Sequence, residues 1–193
     1  MFWILLPCDL LGSGDVNYVP PPALTENEAA LIMFNAKVSA EAIDGIIVYP
    51  GQTFSYWDTA GPFDSAHGYV YGYGVLNGKA VPALAGGVCV TSTALYRAAL
   101  DAGLEIVERH PHGVPLAWAK EDDAAVSFRV SPDGRLERGW DFRFRNNLKD
   151  PVVILARSKG KNVAVELWSL QMLAVSIAPP YNSGYRLAEL AEC

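Results

Sequence analysis

AGGVCVTSTALYRAALDAGL, residues 85–104, joins a glycine pair and a lone cysteine to an apolar pattern at helical spacing. The pattern predicts a helix from about residue 91 to 102, with Gly103 at its C-terminal cap. Thr91, Ser92 and Thr93 are candidates to cap its first turn. We expect the rest of the fold to surround this central helix.

A second helix is predicted upstream, from about residue 26 to 43. Thr25 and Glu28 have the spacing of a capping box, and three prolines precede them. Apolar residues then recur at intervals of three and four. The sequence therefore predicts an N-terminal helix that begins directly after Thr25.

Most of the remaining chain is predicted to form short strands joined by turns. Hairpin connections are predicted at Asn77–Gly78, at Pro132–Asp133–Gly134 and in RSKGKN, residues 157–162. The order of elements predicts an α+β fold with a largely antiparallel β-sheet, an N-terminal helix and one central helix preceded by the cysteine-containing turn. Strands are also predicted in VPLAW (114–118) and AAVSFRV (124–130), and a short helix in the tail.

Composition limits both the domain count and the class of partner. The chain has 193 residues, 51% of them hydrophobic, and a net charge of −6, which suits one domain. Because basic residues are not clustered, nucleic acid is not an expected partner. No cofactor motif is present, so no cofactor is expected, and the oligomeric state is left open.

The domain organisation predicted from the sequence has three parts. Residues 1–24 are interpreted as an apolar, proline-rich lead-in, either a remnant of a signal or a linker; residues 25–170 are the domain; residues 171–193 are an extension. The apolar start is shorter than the roughly 20 residues that span a bilayer, so membrane association is expected only through an anchor that precedes this chain. Cys8 and Cys193, near the two ends, can pair in an oxidising compartment, but two unpaired thiols are the favoured interpretation.

Cys89 is the candidate nucleophile. The unpaired amides and the dipole at a helix N-terminus stabilise a thiolate and can form an oxyanion hole. Gly86 and Gly87 let the backbone approach a ligand closely. A buried, inert cysteine is the alternative.

Two histidines follow the helix and supply a candidate base. His110 and His112 lie in an extended segment, where alternate side chains share a face, and either imidazole can accept the thiol proton. Asp123, next to Asp122, can orient the imidazole. Zinc held by Cys89, His110 and His112 is a weaker interpretation because no zinc-binding spacing is present, and no metal site is predicted.

A tyrosine-rich segment is a candidate substrate wall. Tyr69, Tyr71 and Tyr73 share one face of an extended strand, which suits contact with a sugar or a peptide and equally suits a half-buried strand. His67, just before them, is expected in a loop.

Five collinear segments resemble the VanW-like domain family over about residues 25–157. They are PGQTFSYWDTAGP (50–62), HGYVYGYGVLNGK (67–79), GGVCVTSTALYRAALDAGLEIVERHPHG (86–113), DDAAVSF (122–128) and DFRFRNNLKDPVVI (141–154). The resemblance implies a bacterial protein tied to the cell envelope, in a family named from glycopeptide-resistance gene clusters. Some members are understood to act as L,D-transpeptidases with the motif cysteine as nucleophile.

Carried over by position, the resemblance implies Cys89 as nucleophile, His112 as the likelier base and Asp123 as its orienter. Arg109 and Asn146 also fall on motif positions; Arg109 can bind a substrate carboxylate or form a structural salt bridge. Two positions depart from the family pattern: Ala85 replaces its third glycine and Val90 replaces the glutamine after the cysteine.

The leading hypothesis is an extracytoplasmic cysteine acyltransferase that acts on peptidoglycan stem peptides through a thioester at Cys89. The alternative is a non-catalytic module that binds peptidoglycan or a glycopeptide, with Cys89 buried and inert. A lowered thiol pKa would favour the first, and an inert buried thiol the second.

Overall fold

The computed structural model describes residues 2–76, 79–130 and 136–175. This part of the chain forms three α-helices and a set of antiparallel strands, which confirms the α+β prediction. The helices are α1 (Glu26–Ile43), α2 (Tyr56–Ala60) and α3 (Val88–Asp101). The strands are β1 (Phe2–Asn17), β2 (Ile47–Val48), β3 (Thr53–Ser55), β4 (Tyr71–Leu76), β5 (Lys79–Leu84), β6 (Glu105–Glu108), β7 (Phe128–Val130), β8 (Leu136–Arg138), β9 (Arg143–Arg145), β10 (Val152–Lys159) and β11 (Asn162–Val175).

The largest sheet has the strand order β1-β11-β10-β2 and is antiparallel throughout. Strands β10 and β11 form the predicted hairpin, with Lys159 opposite Asn162 and Gly160 in the left-handed region at φ 60°. Helices α1 and α3 pack on this sheet and on each other. The core therefore lies between a layer of helices and a layer of strands.

Strand β1 was not predicted by the sequence, which assigned its residues to a lead-in. Along the second half of β1, Gly12, Gly14 and Val16 are buried, and the residues between them are exposed. The two glycines bring β1 against the backbone of α3, because a Cβ on Gly12 would lie 2.6 Å from the Ala98 carbonyl oxygen. Small residues on the buried face conceal the alternating pattern that usually reveals a strand.

Helix α1 has the predicted bounds and cap. The Thr25 hydroxyl accepts a hydrogen bond from the amide of Glu28 at 3.3 Å, and the Glu28 carboxylate accepts one from the amide of Thr25 at 2.7 Å. The capping box is thus confirmed.

Helix α3 begins three residues earlier than predicted. Its N-cap is Gly87, at φ 124°, and it has no side-chain cap. The prediction that Thr91, Ser92 or Thr93 caps the helix is wrong, because these side chains lie inside the helix and bond to neighbouring segments. Gly103 follows the helix in the left-handed region, at φ 66°, as predicted.

The remaining strands form two smaller hairpins and a three-stranded sheet. Strands β4 and β5 pair up to Leu76 opposite Lys79, and β7 pairs with β8; the predicted turns at 77–78 and 132–134 lie outside the described residues. The three-stranded sheet has the order β3-β9-β6. The predicted strand over 114–118 is wrong, because this segment forms a tight turn closed by the Leu116–Ala119 bridge.

Both ends of the chain bear on the cysteine prediction. Cys8 is disulfide-bonded, so the expectation of an unpaired thiol there is wrong. The pairing of β1 with β11 brings the N-terminal strand alongside the strand that precedes the C-terminal tail. Cys193 and the predicted tail helix lie outside the described residues. In the part of the chain that the structure describes, no helix is long and apolar enough to cross a membrane.

Candidate functional site

An apolar cleft of about 410 Å³ opens at the N-terminal end of α3. It lies between the β4–β5 hairpin, the start of α3 and the segment from His112 to Phe128. Five aromatic side chains contribute to its lining: Tyr18, Tyr73, Trp118, Phe128 and Trp140. Both Cys89 and His112 reach this cleft, which makes it the candidate site.

The glycine pair is required by packing inside the protein. A Cβ on Gly87 would lie 2.9 Å from the carbonyl carbon of Ile32 in α1, and one on Gly86 would lie 2.5 Å from the amide nitrogen of Tyr73 in β4. Both glycines also line the cleft, as the substrate-binding prediction requires. Their observed close approach, however, is to the protein's own backbone.

Cys89 lies in the first turn of α3, one residue after its start, rather than before the helix. Its thiol donates a hydrogen bond to the Val126 carbonyl oxygen at 3.2 Å. Burial raises the pKa of the Cys89 thiol, and this effect exceeds the opposing influence of the Val126 contact. The helix N-terminus therefore does not produce the lowered pKa that the sequence predicted, and the resting thiol is protonated.

Two backbone amides at the same helix end lack a hydrogen-bond partner among the described residues. Within the described part of the chain, neither the Gly87 amide nor the Cys89 amide donates a hydrogen bond. The neighbouring amides of Val88 and Val90 donate to the carbonyl oxygens of Ala85 and Gly87. Gly87 and Cys89 both line the cleft. These amides are the expected oxyanion donors.

His112 is held beside α3 as a neutral imidazole. Its Nε2 lies 3.1 Å from the hydroxyl of Thr93, four residues after Cys89 on the same helix, and its ring meets Trp118 edge-on at 5.2 Å. Burial lowers the pKa of His112 to about 4; Asp123 opposes this shift and Arg97 reinforces it. The imidazole is therefore unprotonated at neutral pH.

The lowered pKa of His112 predicts a loss of stability in acid. Between about pH 6.5 and about pH 4 the unfolded chain binds a proton at this histidine and the folded chain does not, so the free energy of unfolding falls as pH falls through this window. Urea denaturation at a series of pH values measures this. His112→Gln should have a shallower pH dependence over the same range; equal slopes would contradict the prediction.

Asp123 does not orient the imidazole, contrary to the prediction. Its buried carboxylate binds the guanidinium of Arg97 through two contacts, of 2.6 and 3.1 Å, and accepts a hydrogen bond from the amide of Lys120 at 2.6 Å. Arg97 was not identified from the sequence. Asp123 acts on His112 only through its charge.

His110 does not share the cleft with His112. Its Nε2 lies 3.1 Å from Glu108 Oε1, and its ring stacks on Trp140 with centroids 5.3 Å apart and planes 9° apart. The expectation that both histidines point the same way is wrong because the segment is irregular after the His110–Ala125 bridge. Among the described residues, no group of three or more His, Cys, Asp or Glu side chains is placed to hold a metal ion, which argues against the zinc interpretation.

Arg109 and Asn146 have structural contacts. Arg109 Nη1 donates to the Asp122 carbonyl oxygen at 2.9 Å and lies 3.7 Å from the Asp122 carboxylate. Asn146 is fully buried and donates to the carbonyl oxygens of Val48 and Asp150, each at 2.9 Å. It fixes the loop before β10.

The predicted tyrosine wall is not formed. Tyr69 precedes β4, is buried, and donates to the Ala60 carbonyl oxygen at 2.5 Å, while Tyr71 is 66% exposed and outside the cleft lining. Of these three tyrosines, Tyr73 alone lines the cleft, where its hydroxyl donates to Glu28. The prediction treated the three as one regular strand, but the strand begins only at Tyr71. His67 is exposed in a short turn, 2.7 Å from Asp64, as expected of a loop residue.

Comparison with known proteins identifies the family of this chain. The family described as "VanW like protein" matches residues 33–168. The chain belongs to the VanW-like family. It is 31% identical over 140 residues to the uncharacterized protein YoaR of Bacillus subtilis, covering 72% of this chain and 43% of that protein. It is 32% identical over 117 residues to the vancomycin B-type resistance protein VanW of Enterococcus faecalis, covering 60% of this chain and 41% of that protein.

The chain thus spans less than half the length of these two VanW-like relatives. No solved structure matches it significantly.

The two departures from the VanW-like motif have different structural consequences. Ala85 is buried and occupies the left-handed region at φ 56°, a conformation that glycine adopts more easily, so the family's glycine has a conformational reason. Val90 is fully buried and lines the cleft with an apolar side chain. The amide donor that a glutamine would place there is absent.

The state of Cys89 predicts slow alkylation by iodoacetamide at neutral pH. Because burial raises the thiol pKa, the labelling rate should keep rising above about pH 8.5, the ordinary cysteine value. Labelling located at Cys89 by peptide mass spectrometry measures this, with N-acetylcysteine as reference. Because no ion pair links Cys89 to His112, His112→Ala should give the same profile; a plateau below pH 7 would contradict the prediction.

Proposed function

We propose that this VanW-like domain is a cysteine acyltransferase of the bacterial cell envelope that acts on peptidoglycan stem peptides. The observation that carries the proposal is the meeting of three groups at one apolar cleft: the Cys89 thiol, a neutral His112 imidazole and the unpartnered amides of Gly87 and Cys89. These are a nucleophile, a proton acceptor and oxyanion donors.

The hydrogen bonds around Thr93 support a choice between the two ring nitrogens of His112 as the basic atom. The Thr93 hydroxyl donates to the Ala124 carbonyl oxygen at 3.3 Å, so it accepts a hydrogen bond from Nε2 of His112. A neutral imidazole protonated at Nε2 has its free lone pair on Nδ1. Nδ1 is therefore the atom that we propose to accept the thiol proton.

In the proposed reaction the Cys89 sulfur attacks a peptide carbonyl carbon and its proton passes to His112. The carbonyl oxygen, now negative, is stabilised by the two amides. The C–N bond then breaks, the leaving amine takes the proton from His112, and a thioester remains on Cys89. An incoming amine or water releases the acyl group by the reverse sequence. The raised pKa of the thiol is offset in part because bound substrate holds its carbonyl carbon close to the Cys89 sulfur, correctly oriented and shielded from water.

The similarity to a vancomycin B-type resistance protein supports a link to the cell envelope and to glycopeptide resistance. The apolar lining of the cleft suits the methyl groups of alanine-rich stem peptides. Because Val90 removes one amide donor, we expect turnover about 10² to 10³ times slower than in a family member with glutamine.

Trapping of the acyl intermediate tests the proposal. Incubation with a stem tetrapeptide should add the mass of the acyl fragment to Cys89, seen by intact-protein and peptide mass spectrometry, and hydroxylamine should remove it. Cys89→Ala should give no adduct, while Glu105→Gln, an exposed position on β6 outside the cleft lining, should retain adduct formation. Absence of any adduct, despite peptide binding, would contradict the proposal.

A second candidate is the non-catalytic binding module. It is favoured by the protonated thiol, which is engaged with Val126. In that case the two free amides bind the terminal carboxylate of a peptide, as backbone N–H groups at a helix N-terminus do. Saturable peptide binding that is unchanged in Cys89→Ala, together with no adduct, is the expected result for this candidate.

A further inference from the structure

The pair of His110 and Trp140 lies at the rim of the cleft and has no part in the proposed chemistry. Trp140 lines the cleft, is 42% exposed and is stacked on one side by His110. For a side chain of about 250 Å², this exposure amounts to roughly 100 Å², close to the area of one indole face. One face is therefore covered and the other is presented to solvent.

Trp140 is held rigidly. Its amide donates to the Ser127 hydroxyl at 2.9 Å, its carbonyl oxygen accepts from the Ser127 amide at 3.1 Å, and the Gly139 amide donates to the Ser127 carbonyl oxygen at 3.0 Å. His110 is itself fixed by Glu108, whose Oε1 also accepts from the Asp141 amide at 3.1 Å. An exposed tryptophan with so many restraints loses little entropy when it binds a ligand.

The cluster of Glu108, His110 and Trp140 also carries polar groups. Within the described residues, neither the Trp140 indole N–H nor Glu108 Oε2 has a hydrogen-bond partner. An apolar face beside one free donor and one free carboxylate acceptor suits a pyranose ring, which has an apolar C–H face and hydroxyl groups at its edge.

We propose that Trp140, supported by His110 and Glu108, forms a saccharide subsite that binds the sugar attached to a stem peptide. This inference rests on the proposed function and narrows its substrate to a glycan-linked peptide. Trp140 stacks on the sugar ring, Glu108 accepts a hydrogen bond from a sugar hydroxyl, and His110 is a positioning residue that stacks on the opposite face of the indole.

Calorimetric titration with three probes tests the subsite: a free stem pentapeptide, the same peptide on an N-acetylglucosamine–N-acetylmuramic acid disaccharide, and a β-1,4-linked N-acetylglucosamine trimer. Wild type should bind the disaccharide-peptide at least about tenfold more tightly than the free peptide. Trp140→Ala should abolish trimer binding and should weaken binding of the disaccharide-peptide at least about tenfold more than binding of the free peptide. Trp140→Phe should keep part of the preference, and His110→Ala should reduce it.

Trp168→Ala is the matched control. Trp168 lies on β11, bonded to Glu166 and away from the cleft lining, so its loss should not change any of the three affinities. Equal affinities for the two peptides in wild type, or equal weakening of both in Trp140→Ala, would overturn the subsite. If a Cys89 adduct forms but the two peptides bind equally, the proposed function is supported and the saccharide subsite is excluded. If the wild type binds the trimer, Trp140→Ala does not, and no adduct forms, the subsite is supported and the acyltransferase proposal is excluded.

Discussion

Gly14→Ala should lower the free energy of unfolding by about 3 kcal/mol or more. A Cβ at this position would lie 2.6 Å from the Ala98 amide nitrogen and 2.7 Å from the Arg97 Cβ, in the middle of α3. Backbone atoms of a helix cannot rotate away as a side-chain tip can. Strand β1 and helix α3 must therefore separate, which opens the core between the sheet and the helices.

Urea denaturation followed by circular dichroism measures this change. Gly74→Ala is the matched control, because Gly74 is also a strand glycine and its new Cβ would meet only the Ala83 Cβ at 3.5 Å, an ordinary contact. It should change the free energy of unfolding by less than about 1 kcal/mol. If the two variants are equally stable, the close packing of β1 on α3 is not essential.

Asp123→Ala should be the second most damaging change, with a loss of about 2 to 4 kcal/mol. The Asp123 side chain is 3% exposed, and its removal leaves the Arg97 guanidinium, itself 24% exposed, without its carboxylate. The amide of Lys120 also loses its acceptor. The residual exposure of Arg97 permits some hydration, which places the loss below that of a fully buried pair.

The exposed ion pair of Glu105 and Arg145 gives the control for this prediction. Its side chains are 46% and 47% exposed and 2.7 Å apart, so Glu105→Ala should cost less than about 1 kcal/mol. Thermal unfolding of both variants at pH 7 compares the two pairs. A loss in Asp123→Ala no greater than in Glu105→Ala would show that the buried pair does not stabilise the domain.

Local features were predictable because neighbouring residues produce them. The capping box sets the start of α1, Gly103 ends α3, and the RSKGKN turn joins β10 to β11, each through interactions within a few residues. The position of Cys89 at the start of the central helix followed from the same local pattern. Its exact place in the first turn did not, since Gly87 caps the helix without a side chain.

The cleft itself required contacts between distant segments. Nothing in the spacing of the sequence indicated that His112 would bond to Thr93 and His110 would stack on Trp140, although the two histidines are two residues apart. The aromatic lining comes from parts of the chain separated by more than a hundred residues, as Tyr18 and Trp140 illustrate. The composition of the chain identified these residues as apolar but did not predict that they would line one cleft.

The sequence by itself determined helices α1 and α3, the hairpin of β10 and β11, the family and the nucleophile candidate, but not helix α2. Only the tertiary structure decided that residues 2–17 form an edge strand. It also decided that Asp123 forms an ion pair with Arg97 and not a hydrogen bond with an imidazole, and that the Cys89 thiol stays protonated. The physical reason is that caps and turns depend on adjacent residues. Burial, ion pairing and pKa depend on whichever segments the fold brings together.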